Sequence, residues 1–163
     1  GWRKPHTAEV HLKILQNSTF VELALEPETN RVVGFCNALS DGIQAAFISM
    51  LEVLPEYQHR GIGSELLKRM LKRLEHIPAV DLTCDPEMQS FYKRFGMLPS
   101  VGMIVRNYKK KYTLDELLAG VTDENRHGEI LLSVSLRSPS LAIISKQESN
   151  SRKSVHLSFS VSG

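Results

Sequence analysis

The stretch from Ala45 to Ile77 constrains the fold more than any other part of the chain. A long apolar run from Ala45 to Leu54 is stopped by Pro55, and the turn Gln58-His59-Arg60-Gly61-Ile62-Gly63 follows. Beyond it Ile62, Leu66, Leu67, Met70, Leu71, Leu74 and Ile77 recur at helical spacing, with Lys68, Arg69, Lys72 and Arg73 on the opposite side. An uninterrupted apolar run suits a central strand, and the 3.6-residue period marks an amphipathic helix whose charges form a solvated outer face. Where such a strand feeds such a helix, a glycine pair lets the backbone come close to a ligand. The N–H groups of the first helical turn, at the positive end of its dipole, suit a pyrophosphate. The hexapeptide reads equally well as a tight strand-to-helix turn and nothing more. Two other phosphate motifs are excluded: no Lys-Ser/Thr follows as a P-loop requires, and the three-glycine dinucleotide fingerprint is absent.

The flanking segments supply the rest of a sheet. Pro5 and Thr7 open a helix with Ala8, Leu12 and Leu15 on one face and Thr7 as its N-cap. Residues 21–25 alternate as a strand, 26–30 turn, and 31–39 resume as a second strand before Ser40-Asp41-Gly42 turns into the apolar run. After the long helix, 79–83 read as a short strand and 86–95 as a short helix closed by Gly96. Residues 97–106 read as a final strand pair or bent strand. The order is α, three antiparallel strands, α, β, α, β, which is an α+β sheet with helices on its faces.

The chain's 163 residues allow one core rather than two. A net charge of +2 is too mild for a nucleic-acid-binding face. No apolar run approaches the roughly 18 to 20 residues of a membrane span and the first residues do not read as a charged-then-apolar leader, so neither a transmembrane nor a freshly secreted protein is expected. Cys36 and Cys84 lack any CxxC or Cys/His spacing, so reduced thiols in a cytoplasmic protein are expected and a metal site is not. Composition shifts late: three lysines at 109–111, a polar and acidic stretch over 112–128, then a serine-crowded end from 130 to 163 of the kind that signals weak or conditional order.

Residues 51–67, Leu-Glu-Val-Leu-Pro-Glu-Tyr-Gln-His-Arg-Gly-Ile-Gly-Ser-Glu-Leu-Leu, resemble motif A of the Gcn5-related N-acetyltransferases, the GNAT superfamily, with the Gln/Arg-x-x-Gly-x-Gly/Ala core complete. Downstream, Tyr92-Lys93-Arg94-Phe95-Gly96-Met97 is similar to the family's Tyr-x-x-x-Gly-Phe segment. The resemblance covers about residues 2–108 and implies a GNAT fold, a mixed and mainly antiparallel sheet splayed between the fourth and fifth family strands. The family's first strand and helix have no counterpart before Trp2. The start at Gly1 without a methionine agrees with a shortened catalytic domain over 1–108 and a separate tail over 109–163.

The resemblance further implies acetyl-CoA as cosubstrate and a small-molecule or peptide amine as acceptor, in a bacterial cytoplasm. Backbone groups of Leu51, Glu52 and Val53 would pair with the pantetheine arm, an amide near Val53 polarising the thioester carbonyl. The cofactor loop would comprise Gln58, His59, Arg60, Gly61, Ile62, Gly63 and Ser64, its amides from His59 through Ser64 holding the pyrophosphate. Tyr92 matches the tyrosine that approaches the CoA sulfur and would be the general acid; its other reading is a core aromatic. Glu52, beside the cofactor on the central strand, is the candidate base, with a water relay, another carboxylate or a purely structural ion pair as alternatives. Asp85 stands where many members have asparagine. It would contact the pantetheine through water or cap the helix that Pro86 begins, and the cap is favoured.

Residues 112–129 are similar to the C-terminal segment of MazE-type antitoxins, which implies a toxin-like protein partner and an alternative role as a catalytically idle, GNAT-like binding protein. Val155, Leu157, Phe159 and Val161 alternate with polar residues, as a strand would that adds to an open sheet edge of the same chain or of a homodimer mate.

Overall fold

Thr7 caps the first helix as its position suggests: in the computed structural model its Oγ1 accepts from Val10 N at 3.3 Å, and α1 runs over Ala8–Gln16. The structure describes residues 7–106, 131–138 and 141–147. The face that α1 buries is Val10, His11 and Leu15, not Ala8, Leu12 and Leu15. The difference arises because His11 stacks edge-on against Phe35 (centroids 5.7 Å apart), so an imidazole takes a place that apolar periodicity would assign to leucine.

Three antiparallel strands follow, β1 (Phe20–Glu26), β2 (Arg31–Ser40) and β3 (Ala45–Val53). The β1–β2 turn is held by Thr29, whose hydroxyl donates to Glu26 Oε2 at 2.6 Å, and by Asn30 in the left-handed region. The β2–β3 turn is built on Asp41, whose Oδ1 accepts from the amides of Ile43, Gln44 and Ala45. Side chains alternate across the sheet. One face carries Ala24, Cys36, Ala38 and Ile48 into a core closed by Ile62, Leu66, Leu67 and Met70 of α2 (Ile62–Arg73). The other carries Val21, Leu23, Leu25, Phe35 and Met50 into a second core closed by Leu15 of α1.

The long helix ends at Arg73, though Leu74 and Ile77 remain buried past it. Its outer face is less uniformly solvated than the charge pattern suggests. Lys68 and Lys72 are exposed, and Arg69 pairs with Glu65 along the helix at 2.9 Å. Arg73 turns inward, its Nη1 donating to Glu22 Oε1 at 3.0 Å. Glu22 is fully buried on β1, and Ser145 donates to its second oxygen. A charge in that place is tolerable because it is met on both oxygens.

After α2, β4 (Ala79–Leu82) lies parallel to β3. A short turn at Pro86–Met88 leads into α3 (Gln89–Lys93), and Gly96 ends that region with φ +81°. The expected strand over residues 97–106 does not form. Leu98, Val101, Met103, Ile104 and Val105 stand exposed, and among the described residues no strand lies alongside them. Pro99 has no N–H to give a ladder and Gly102 weakens a strand, so apolar residues alone do not make one here.

Two strands come from the serine-rich end: β5 (Leu131–Ser138) and β6 (Leu141–Gln147) form a hairpin whose β6 pairs antiparallel with β1. The sheet therefore has six strands in the order β4-β3-β2-β1-β6-β5. Residues 112–129 and the alternating segment 155–161 lie outside the described residues. No helix among those described is long and apolar enough to cross a membrane.

Candidate active site

The site begins where two strands part. The parallel ladder between β3 and β4 starts at Ala45↔Ala79 and stops at Ile48↔Leu82, whereas β3 continues to Val53. On its other side β3 stays paired with β2 through Cys36↔Leu51, Phe35↔Glu52 and Gly34↔Val53. Leu51, Glu52 and Val53 thus present one edge of β3 to the gap, as a strand awaiting a partner would.

Immediately beyond, the chain is fixed into a loop. Pro55–Tyr57 forms a single tight turn, tied to the sheet where Tyr57 donates from its hydroxyl to Glu26 Oε1 at 2.6 Å and Arg31 Nη2 donates to Glu56 Oε1 at 3.2 Å. Leu54 N donates to the Val33 carbonyl at 2.9 Å. His59 (φ +59°) and Gly61 (φ +81°) both adopt the left-handed region, and α2 starts directly after. Alternating backbone signs of this kind turn successive N–H groups toward one concavity, a nest for an anion. Glu65 N donates to the Gly61 carbonyl at 3.0 Å as the first bond of the helix. The amides of Ile62, Gly63 and Ser64 precede that bond and form the helix's positive end.

Two side chains expected at the cofactor are used to shape the loop. Gln58 Nε2 donates to the Val53 carbonyl at 3.0 Å, locking the end of β3. Arg60 Nη2 donates to the Glu56 carbonyl at 2.7 Å, and its guanidinium lies over the Tyr57 ring at 5.2 Å. The glycines divide the work differently from what their symmetry suggests. Gly61 needs its positive φ, with nothing within 4 Å of an added Cβ. At Gly63 a Cβ would sit 3.7 Å from Val53 Cγ2, an ordinary contact, so the protein itself does not require that glycine.

Tyr92 rises from α3 on the α2 side of the sheet, half-buried against the same core as Leu51 and Val53 and edge-on to Phe91 at 5.0 Å. Burial first, then the neighbouring Cys84 and Cys36, raise its phenol above the ordinary value, so it holds its proton. Cys36 is a spent thiol by the same physics: burial pushes it up to about 12. Asp85 sits at the N-cap position before Pro86, but its carboxylate makes no capping bond; its backbone carbonyl accepts from Met88 N at 2.9 Å. The expected side-chain cap is therefore not formed, the proline turn closing itself through the main chain.

Alternation places Glu52 on the opposite face, under α1, with its side chain 41% exposed. There it meets a residue that sequence reasoning missed. His11 Nε2 lies 3.9 Å from Glu52 Oε2. His11 reads as a polar intrusion into an amphipathic helix, and its only sequence signal is its place one residue after Val10 on the buried face. The site thus brings the β3 edge, the amide nest and Tyr92 to the α2 side, and Glu52 with His11 to the α1 side.

Comparison with known proteins bears on this arrangement. Residues 2–97 match the family model described as the acetyltransferase (GNAT) family. Among curated proteins, an uncharacterised N-acetyltransferase, ycf52, of Gracilaria tenuistipitata var. liui is 32% identical over 103 residues, 60% of this chain and 56% of its own. The chain spans less than two thirds of the length of that relative. Among solved structures, a candidate acetyltransferase from Deinococcus radiodurans R1 is 42% identical with a TM-score of 0.63, covering 67% of this chain and 76% of that one. A GNAT-family acetyltransferase from Streptococcus pneumoniae TIGR4 is 32% identical with a TM-score of 0.53, covering 62% and 80%.

Proposed function

The chain belongs to the acetyltransferase (GNAT) family, and from that premise we propose that it is an acetyl-CoA-dependent N-acetyltransferase acting on a primary amine by direct attack in a ternary complex. The observation that carries the reading is the parting of β3 from β4 beside an amide-lined helix start. An extended, amide-bearing arm ending in a pyrophosphate fits both halves: the arm along the open edge at Leu51–Val53, the pyrophosphate on the amides from His59 through Ser64. Gly63 supports the fit, because its missing side chain leaves space that the protein does not otherwise need.

Acetyl-CoA supplies an acyl group activated as a thioester. The amide near Val53 polarises the acyl oxygen. Tyr92, protonated at neutral pH, donates to the departing sulfur. Glu52, reachable from solvent on the α1 face, takes part in removing the proton of the incoming ammonium. Asp85 stands near the arm and acts there through water. The proposed location is the cytoplasm, where Cys36 and Cys84 stay as thiols.

Titration calorimetry with acetyl-CoA tests the binding half and should give saturable binding; heats without saturation at millimolar acetyl-CoA sink the reading. CoA release should then be screened against polyamines, aminoglycosides and peptide N-termini. Tyr92→Phe should lower kcat by about a hundred-fold with acetyl-CoA affinity kept, in the usual range for a lost general acid, and an unchanged kcat removes Tyr92 from that role.

A further inference from the structure

Building on the acetyltransferase reading, we propose that His11 and Glu52 work as one proton-accepting pair, which docks the acceptor as a primary ammonium and takes its proton on His11 Nε2. Three elements converge to make the pair. α1 supplies His11, β3 supplies Glu52, and β2 supplies Phe35, the register partner of Glu52 and the ring against which the imidazole stacks at 5.7 Å and 65°. The imidazole plane is therefore set by packing.

Its proton is set as well. His11 Nδ1 lies 3.2 Å from the Thr7 carbonyl oxygen, which can only accept, so Nδ1 carries the hydrogen and the neutral ring gains its second proton at Nε2. Nε2 is the atom that faces the Glu52 carboxylate, at 3.9 Å. That spacing exceeds a direct hydrogen bond of about 2.7–3.2 Å. It suits two acceptors that share one donor, and an ammonium offers several N–H bonds from a single atom. Glu52 completes the pair by stabilising the imidazolium once it forms, its carboxylate facing the same nitrogen that takes the proton.

The proton count closes. The ammonium gives one proton to Nε2, and the freed lone pair forms the new N–C bond to the acyl carbon while the C–S bond breaks with its electron pair on sulfur. The sulfur is protonated by Tyr92, and the second proton shed by the nitrogen restores the phenol through water. The proton on His11 leaves past Glu52 to solvent, so one proton is released per turnover. The Glu52 carboxylate favours an acceptor that arrives as a cationic ammonium over a neutral one.

His11→Phe keeps a ring against Phe35 and removes both nitrogens; His11→Ala opens a space that added imidazole can enter. Both should keep the wild-type affinity for acetyl-CoA by calorimetry while kcat falls by about a hundred-fold or more, and imidazole should restore a measurable part of the rate to His11→Ala only. Glu52→Gln should lower kcat too, and His11→Phe/Glu52→Gln together should be little worse than the worse single variant, as for groups that act as a unit. Wild-type kcat in a folded His11→Phe, losses that multiply in the double variant, or no rescue by imidazole overturns the pair. An absence of acetyl-CoA binding by the unaltered protein overturns instead the acetyltransferase reading beneath it.

Discussion

At the scale of single residues, Gly61 and Gly63 look interchangeable in the motif but answer to different constraints. A side chain at Gly61 would have to sit at φ +81°, where an L-residue loses about 1–2 kcal/mol. Gly63 is the second residue of α2, where alanine is favoured over glycine by less than the about 0.5–1 kcal/mol of a mid-helix position and the nearest atom of the protein leaves it room. Gly61→Ala should therefore lower the melting temperature and weaken acetyl-CoA binding by shifting the loop amides, while Gly63→Ala should raise the melting temperature. Scanning calorimetry on the two variants decides it, and equal shifts of the same sign would refute the division.

Glu22 gives a second residue-scale expectation, this one in pH. Its burial outweighs the bonds from Ser145 and Arg73 and raises its carboxyl above the ordinary 4.5. The folded state therefore holds that proton more tightly than the unfolded chain does. The resulting stabilisation is complete below the unfolded value and is lost as pH rises through the folded one. Glu22→Gln has no such titration, so wild type should lose stability relative to the variant on going from acid to neutral pH. Urea midpoints of both proteins across that range measure the difference; a gap that widens in favour of wild type contradicts the sign.

At the scale of elements, α1 is the piece whose placement matters most, since it carries His11 to Glu52. Besides the Thr7 cap, a chain of hydrogen bonds anchors its far end: Ser18 Oγ donates to the Ile14 carbonyl, and the buried Asn37 Nδ2 donates to Ser18 Oγ and to Ser49 Oγ, each at 2.8 Å. Asn37→Ala removes the amide that ties Ser18 to Ser49 and should cost about 1–3 kcal/mol, read by chemical denaturation, with kcat falling as α1 loosens from β3. Undiminished stability would show that α1 is held by its apolar face alone. None of this chain was legible in the sequence, because it joins the helix end to Asn37 on β2, 19 residues away, and through it to Ser49 on β3. What was legible is local: the Thr7 cap, the turn signals at Asn30 and Asp41, the period of α2, and the loop whose backbone the glycines betray. The Glu52 carboxylate could be named from its place on β3, but not its partner, which needs β2 to carry Phe35 beside Glu52 and against the imidazole. The same limit explains residues 97–106, whose apolar pattern is that of a strand although strand formation is decided by a neighbour and not by the segment.

At the scale of the whole molecule, the β5–β6 hairpin determines what happens at the far edge of the sheet. β6 runs along β1 from Glu22↔Ser145 to Leu25↔Ala142, Ile143 is buried in the α2-side core, and Ser145 completes the bonding of Glu22. Burying an isoleucine is worth roughly 1.5–3 kcal/mol, to which the β1–β6 ladder adds. A chain ended before residue 131 would lose that and uncover a strand, β1, whose side chains are almost all buried and whose edge has no charged or proline guard from Val21 to Leu25 other than the buried Glu22. Such a chain should melt several degrees lower, given about 2–4 °C per kcal/mol for a protein of this size, and should associate with rising concentration through the exposed edge. Ile143→Ala in the full chain should reproduce part of the loss in stability without the association, since the ladder stays in place. Thermal melts and gel filtration over a concentration series separate the two effects. If the shortened chain melts with the full one and stays monomeric, β6 is an ornament on a sheet already complete at β1, and the serine-rich end has no part in holding the fold.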